Sequence, residues 1–165
     1  MQRNSEKSIC GSIYFPYPFG MWIPYSLLSY GNQSGILKAK IKIDDVICGC
    51  DNNIFVTKIL ARTGRKDIDG LCLQYDEMFA VAKMTIQIGS DSCDYLGIPY
   101  PEISLTTGRK MLFIDNAERY TAGDVICTYG IFVIKRNEYF AFKIESDDNR
   151  KPVYVNGIVP ERMCV

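Results

Sequence analysis

The sequence predicts an all-β domain, either a small barrel or a sandwich of two sheets, and three observations lead to this prediction. Apolar and polar residues alternate along several segments, which is typical of strands with one buried face. The chain has no long amphipathic run with a period of 3.6 residues, which a helical core would need. A block of four residues, Asp45–Cys48, recurs as Asp124–Cys127, and each copy is followed by a similar apolar stretch.

The repeated stretch indicates internal duplication. The first copy continues as Ile54-Phe55-Val56-Thr57-Lys58, and the second continues as Ile131-Phe132-Val133-Ile134-Lys135. We interpret the two copies as duplicated β-hairpins with pseudo-twofold symmetry, each covering the apolar face of the other. This interpretation places the repeat halves at about 36–90 and 108–160 of a single β domain, residues 36–165. A length of 165 residues is suited to one such domain.

The first half of the domain is predicted to contain five strands. Over Leu37–Ile43, apolar residues alternate with lysines, which predicts a half-buried strand with one lysine-coated face. Val46–Cys50 and Ile54–Ala61 follow as the first hairpin, around an Asp-Asn-Asn turn that tolerates tight backbone geometry. Phe79–Ile88 is a further strand, with every second residue on one apolar face.

A segment rich in glycine and proline, residues 89–108, is predicted to join the two halves. The strands predicted after it are Lys110–Ile114, Val125–Cys127, a long hairpin made of Gly130–Lys135 and Tyr139–Ile144, and Val153–Val155. Leu71–Tyr75 is a further predicted strand before the joint. Short helices are the alternative at Tyr75–Ala82 and Asp115–Tyr120.

Residues 1–35 are predicted to form an extended N-terminal arm. The sequence from Ser8 to Leu37 carries no charged side chain, and its three prolines disfavour a continuous helix. Prolines, serines and glycines also interrupt it where a membrane span would need aliphatic residues. The arm either packs on its own domain or reaches a partner subunit, and both interpretations stay open. Its aromatic residues are the candidate binding residues for a partner or ligand: Tyr14, Tyr17, Phe19, Trp22 and Tyr25.

One part of the arm resembles a known family. Cys10-Gly11, followed by Pro16-Tyr17-Pro18-Phe19-Gly20, is similar to the opening of the galacturonan-binding ectodomain of plant wall-associated kinases. The resemblance ends at Gly20. It implies glycan binding, and no site residue is carried over from it.

Charge and composition narrow the function classes. Nineteen basic and nineteen acidic residues cancel, so no overall field favours nucleic acid, and no nucleic-acid partner is expected. The polar N-terminus has no signal-peptide pattern, which predicts a cytoplasmic protein. Histidine is absent, which excludes Ser-His-Asp and Cys-His catalysis and any zinc site with histidine ligands.

Seven cysteines cannot all pair with one another within the chain. The spacing of Cys48 and Cys50 is not that of a zinc ribbon, and we expect mostly buried, reduced thiols. No metal and no cofactor are therefore predicted. A thiol-dependent enzyme using Cys48, Cys50 or Cys127 stays open as an alternative.

These observations predict a protein-interaction domain without catalytic activity. It is expected to self-assemble as a homo-oligomer, or to act as an inhibitor-like, immunity-like or viral structural or accessory partner of another protein. The first alternative is a β-domain that binds a small ligand or glycan in a pocket between the repeats, lined by tyrosine and tryptophan rings. The second is the thiol-dependent enzyme.

Overall fold

A computed structural model describes residues 17–30, 33–48, 52–62, 73–92, 94–112, 119–148 and 150–158. Within these ranges the chain forms nine β-strands and one α-helix, and the strands of each sheet pair antiparallel. The predicted all-β class is confirmed.

The larger sheet has four strands. In sheet order these are β1 (Ile23–Tyr30), β2 (Gln33–Cys48), β3 (Glu77–Ile88) and β7 (Val125–Lys135). β2 is the longest strand, and a bulge between Ile43 and Asp45 shifts its inward-facing positions by one residue. After the bulge, Val46 and Cys48 again pack towards the core.

The second sheet has three strands, in the order β5 (Glu102–Leu105), β8 (Phe140–Glu145) and β9 (Val153–Ile158). Two short strands, β4 (Tyr95–Leu96) and β6 (Arg119–Tyr120), pair separately. The two larger sheets enclose one core, in which Phe132 and Phe142 meet edge to face with ring centroids 5.3 Å apart. In the described residues neither sheet closes on itself to form a barrel.

The two faces of the four-stranded sheet differ in what covers them. The inner face carries Leu37, Ile41 and Ile86, which are fully buried against the second sheet. The helix α1 (Asn52–Arg62) covers one end of the outer face. In the described part of the chain, no helix is long and apolar enough to cross a membrane.

The strand predicted at Ile54–Ala61 is wrong, because these residues belong to α1. Val56, Ile59 and Leu60 are spaced by three and four residues, so a helix places all three on one side. That side buries Val81 and Ile131 of the sheet, which would otherwise face water. The same kind of sequence is a strand in the second copy, so the duplicated hairpins are not structurally equivalent.

The second predicted hairpin is also wrong. β7 pairs with β3, whereas β8 pairs with β5 and β9, so the two strands belong to different sheets. The connection contains Asn137, whose φ of 61° lies in the left-handed region that asparagine tolerates. Residues 131–134 are all buried, which shows that the C-terminal part of β7 is covered on both faces.

The remaining strand predictions have mixed outcomes. Strands are confirmed at Phe79–Ile88, Tyr139–Ile144 and Val153–Val155, with small changes at their ends. The alternative helix at Tyr75–Ala82 is wrong, because β3 begins at Glu77. The segments 71–75, 110–114 and 115–120 lie partly outside the described residues.

The predicted arm is described from Tyr17 onwards, and this part packs on its own chain. Ile23 and Tyr25 of β1 are buried in the core. The backbone N–H of Tyr17 donates to the carbonyl oxygen of Tyr154 in β9 at 2.6 Å. In the strand order, β1 forms one edge of the larger sheet.

Candidate binding face

Three lysines of β2 form the centre of the candidate site. Lys38, Lys40 and Lys42 alternate with the buried residues of the inner face, so their side chains project from the outer face. Cross-strand pairing places Pro24 of β1 on one side of Lys40 and Gln87 of β3 on its other side. We call the surface formed by Trp22, Pro24, Lys38, Lys40, Lys42 and Gln87 the lysine face.

The indole ring of Trp22 holds two of these lysines in place. The Nζ atoms of Lys40 and Lys42 each lie 4.9 Å from the centroid of the ring, within the range of a cation–π interaction. Two positive charges therefore converge on one ring. Asp44 offsets one of them, because its Oδ1 lies 3.7 Å from the Nζ of Lys42. The hydroxyl of Thr85 donates to the other oxygen of this carboxylate at 2.7 Å.

A groove of about 400 Å³ opens at one end of the lysine face. Lys38 and Lys40 line it, together with the turn that follows β3. The N–H of Gly89 in this turn donates to the carbonyl oxygen of Lys38 at 2.7 Å. A Cβ atom at Gly89 would lie 2.8 Å from that oxygen, so the close approach of turn and strand requires glycine.

A serine in the same turn fixes the backbone of Lys38. The Oγ of Ser92 accepts from the N–H of Lys38 at 2.9 Å and donates to its carbonyl oxygen at 2.7 Å. The charged side chains among the described residues that line the groove are those of Lys38 and Lys40. The site therefore presents local positive charge on a chain with no net charge, and carboxylates are the groups it is suited to bind.

The aromatic residues predicted as binding residues do not lie together. Trp22 belongs to the lysine face, whereas Tyr25 is 2 % exposed and Phe19 packs against the core. The hydroxyl of Tyr25 donates to the carbonyl oxygen of Pro99. Burial, with smaller contributions from neighbouring tyrosines, raises the pKa of this phenol above its usual range.

Two other predicted residues lie away from the groove or outside the described chain. Tyr17 is partly exposed and forms a bridge to Val155 of β9. Tyr14 lies outside the described residues. The lysine-coated strand was predicted from the sequence, but no function was predicted for it. The signal for the site was this alternation of lysines, because the position of Trp22 beside them depends on how β1 pairs with β2.

The cysteines named for thiol chemistry are separated. Cys48 pairs with Ala80 on the inner face, whereas Cys127 pairs with Thr85 and is exposed on the outer face. Burial, followed by the charge of Asp45, raises the pKa of the Cys48 thiol, which lowers its thiolate content at neutral pH. Cys50 lies outside the described residues.

Among the residues with described positions, no three histidine, cysteine, aspartate or glutamate side chains are grouped so that they could hold a metal ion.

Comparisons with known proteins give little further information. No protein-family model and no curated protein matches the sequence. Among solved structures, the chain is similar to one from Bacillus subtilis described as a "putative lipoprotein (ycdA)", with 10 % sequence identity and a TM-score of 0.44. The match covers 72 % of this chain and 36 % of that one, so this chain spans about a third of its length. At this level of similarity the comparison supports no statement about function.

Proposed function

We propose that this protein is an interaction domain without catalytic activity, and that its lysine face docks an acidic segment of another protein. The observation that carries the proposal is the contact of Trp22 with both Lys40 and Lys42. A lysine side chain loses rotamer entropy when it is fixed by a partner. Here two ammonium groups are already held by the ring, so less of this cost remains when a carboxylate binds.

The spacing of the lysines favours an extended peptide. Lys38, Lys40 and Lys42 are alternate residues of one strand, so their Cα atoms are about 6.8 Å apart along β2. Alternate residues of an extended partner repeat at the same distance. A segment with carboxylates at every second position therefore matches the lysines in register.

A partner could also associate by adding a strand to the edge of β1, but few backbone N–H groups on this edge are available. The N–H of Ser26 donates to the Oγ of Ser146 at 2.9 Å, and the N–H of Leu28 donates to Oδ2 of Asp147 at 3.3 Å. Pro24 has no N–H to offer. We therefore infer that contacts are made by the side chains of the outer face rather than by strand addition at β1.

The glycan-binding alternative would need the same indole ring. Trp22 is the only tryptophan of the chain, and two ammonium groups already lie over it. A sugar could stack only on the part of the ring surface that the two ammonium groups leave uncovered. Positive charge is thus the main property that the face offers, which favours an acidic peptide.

The proposal is tested with a fluorescent twelve-residue peptide in which glutamate alternates with serine. We expect the full chain to bind this peptide and the affinity to fall with added salt, because the attraction is electrostatic. The double substitution Lys38→Glu and Lys40→Glu should lower the affinity by about tenfold or more. Fluorescence anisotropy measures both effects.

A matched control keeps the net charge of the test variant. Lys58→Glu together with Lys110→Glu reverses two exposed lysines that lie outside the lysine face and should leave binding close to wild type. Equal loss in the two double variants, or equal binding of a peptide with glutamine in place of glutamate, contradicts the proposal. Tighter binding of a galacturonic acid oligomer than of the peptide would favour the glycan-binding alternative instead.

A further inference from the structure

A second cavity lies on the other side of Pro24. It has a volume of about 190 Å³ and lies between the two sheets, against Ile23 and Tyr25 of β1 and Val153 of β9. Pro24 lines both this cavity and the groove of the lysine face. The two spaces are therefore neighbours across the edge of β1.

The second cavity also presents basic side chains. Arg150 and Lys151 line it, and the charged residues among the described lining of both cavities are all basic. Asp148 offsets part of this charge, since its Oδ2 lies 2.7 Å from the Nε of Arg150. Lys151 is exposed.

At Pro24, which lines both cavities, the edge of β1 offers no backbone N–H. Further along the strand, the hydrogen bonds of Ser26 and Leu28 attach the segment at 146–147 to the edge. Pro24 cannot make such a bond, because its ring replaces the N–H. Its side chain is exposed, so a bound chain can pass over it.

We propose that the acidic segment bound on the lysine face continues over Pro24 into the second cavity, where further carboxylates pair with Arg150 and Lys151. This inference rests on the proposed function and specifies its partner as an acidic peptide that follows β2, turns across β1 at Pro24 and occupies both cavities at once. Two observations support it: the charged residues that line both cavities are basic, and Pro24 lines both cavities.

The test uses the same alternating peptide at two lengths, because an extended chain spans about 3.3–3.6 Å per residue. Twelve residues can reach about 40 Å and four residues about 13 Å. Lys151→Glu should weaken the twelve-residue peptide by about three- to tenfold, with binding remaining one to one by calorimetry. Lys58→Glu, a single reversal on α1, is the control and should change the affinity less than twofold, about the effect of a distant surface charge.

The four-residue peptide separates one continuous site from two independent ones. If one ligand occupies both cavities, the long peptide should bind more tightly than the short one, and Lys151→Glu should remove most of that advantage. A stoichiometry of two long peptides per chain overturns the inference. The inference is also overturned if Lys151→Glu leaves the affinity of the long peptide unchanged while the reversal of Lys38 and Lys40 still lowers it. That result would leave the proposed function intact. Failure of the wild-type chain to bind either peptide contradicts the proposed function itself.

Discussion

The inner and outer faces of the four-stranded sheet are built from the same strands but differ in burial and charge. On β2, Leu37 and Ile41 are fully buried on the inner face, whereas Lys38 and Lys40 project from the outer face. The side-chain period of two in a strand makes this separation possible. Because alternate residues of one strand face the core and the solvent, substitutions on one face should change stability, and substitutions on the other should change the proposed recognition.

The largest expected effect is on the inner face. Phe132 is fully buried and contacts Phe142, so Phe132→Ala should lower the free energy of unfolding by about 3–5 kcal/mol through lost burial and a residual cavity. Lys38→Ala on the outer face should change it by no more than about 0.5 kcal/mol. Denaturation in urea measures both values. Similar losses of unfolding free energy in the two variants would contradict this difference between the faces.

The turn after β3 packs against the backbone of Lys38 beside the groove. Gly89→Ala places a methyl group against the carbonyl oxygen of Lys38 and should cost about 1–3 kcal/mol, because backbone must move. The neighbouring exposed Ser90→Ala serves as the control and should cost about 0.5 kcal/mol or less. Wild-type stability and wild-type peptide affinity in Gly89→Ala would show that the close contact is not needed.

A pH effect is expected where the two sheets are linked. Glu77 begins β3, and its carboxylate accepts the N–H of Gln74 at 2.8 Å and pairs with the guanidinium of Arg109. These contacts, the bond from Gln74 first, lower the pKa of Glu77. A lowered pKa stabilises the fold above the ordinary glutamate value of about 4.3, and this contribution disappears as the pH falls through the lower folded value.

Glu77→Gln should therefore flatten the dependence of stability on pH at and below about pH 4, the region of the ordinary glutamate pKa. The urea midpoint followed from neutral to acidic pH measures this slope. Glu138→Gln, at an exposed position in the turn before β8, is the control and should keep the wild-type slope. An unchanged acid slope in Glu77→Gln would contradict this account of the link between the sheets.

A smaller stability effect than that of Phe132→Ala is expected at Trp22. Trp22→Leu removes the ring that holds Lys40 and Lys42 and should cost about 0.5–1 kcal/mol, as for an exposed cation–π contact. Its effect on peptide affinity should be larger than its effect on stability. Tyr75→Leu replaces a ring that is 95 % exposed and should alter neither property. A loss of stability like that of Phe132→Ala would instead place Trp22 in the core.

Much of the inner face could be predicted from the sequence, because alternation is a local property. Leu37–Ile43 and Phe79–Ile88 show it clearly, and both are strands. Ile54–Ala61 misled the prediction because a short apolar run fits a strand and a helix equally well. The segment is a helix because its apolar side packs on Val81 and Ile131, which are distant in sequence and would otherwise be exposed to water. The partners of β7 and β8 are equally non-local.

The candidate site was predictable only in part. The three alternating lysines are visible in the sequence, and Trp22 was named among the aromatic candidates. The contact between them depends on the pairing of β1 with β2, in which Ile23 lies opposite Ile41. The groove depends on the turn at Gly89 reaching Lys38, which no local pattern indicates.

The proposal that the lysine face docks an acidic segment is tested most directly by a nuclear magnetic resonance titration with the alternating twelve-residue peptide. The single tryptophan gives one indole N–H signal, which reports on Trp22 alone. We predict that this signal and the amides of Lys38 and Lys40 shift together and saturate with one affinity, while the amides of α1 stay in place. An indole signal that does not move, or shifts confined to α1 and the second sheet, would contradict the account.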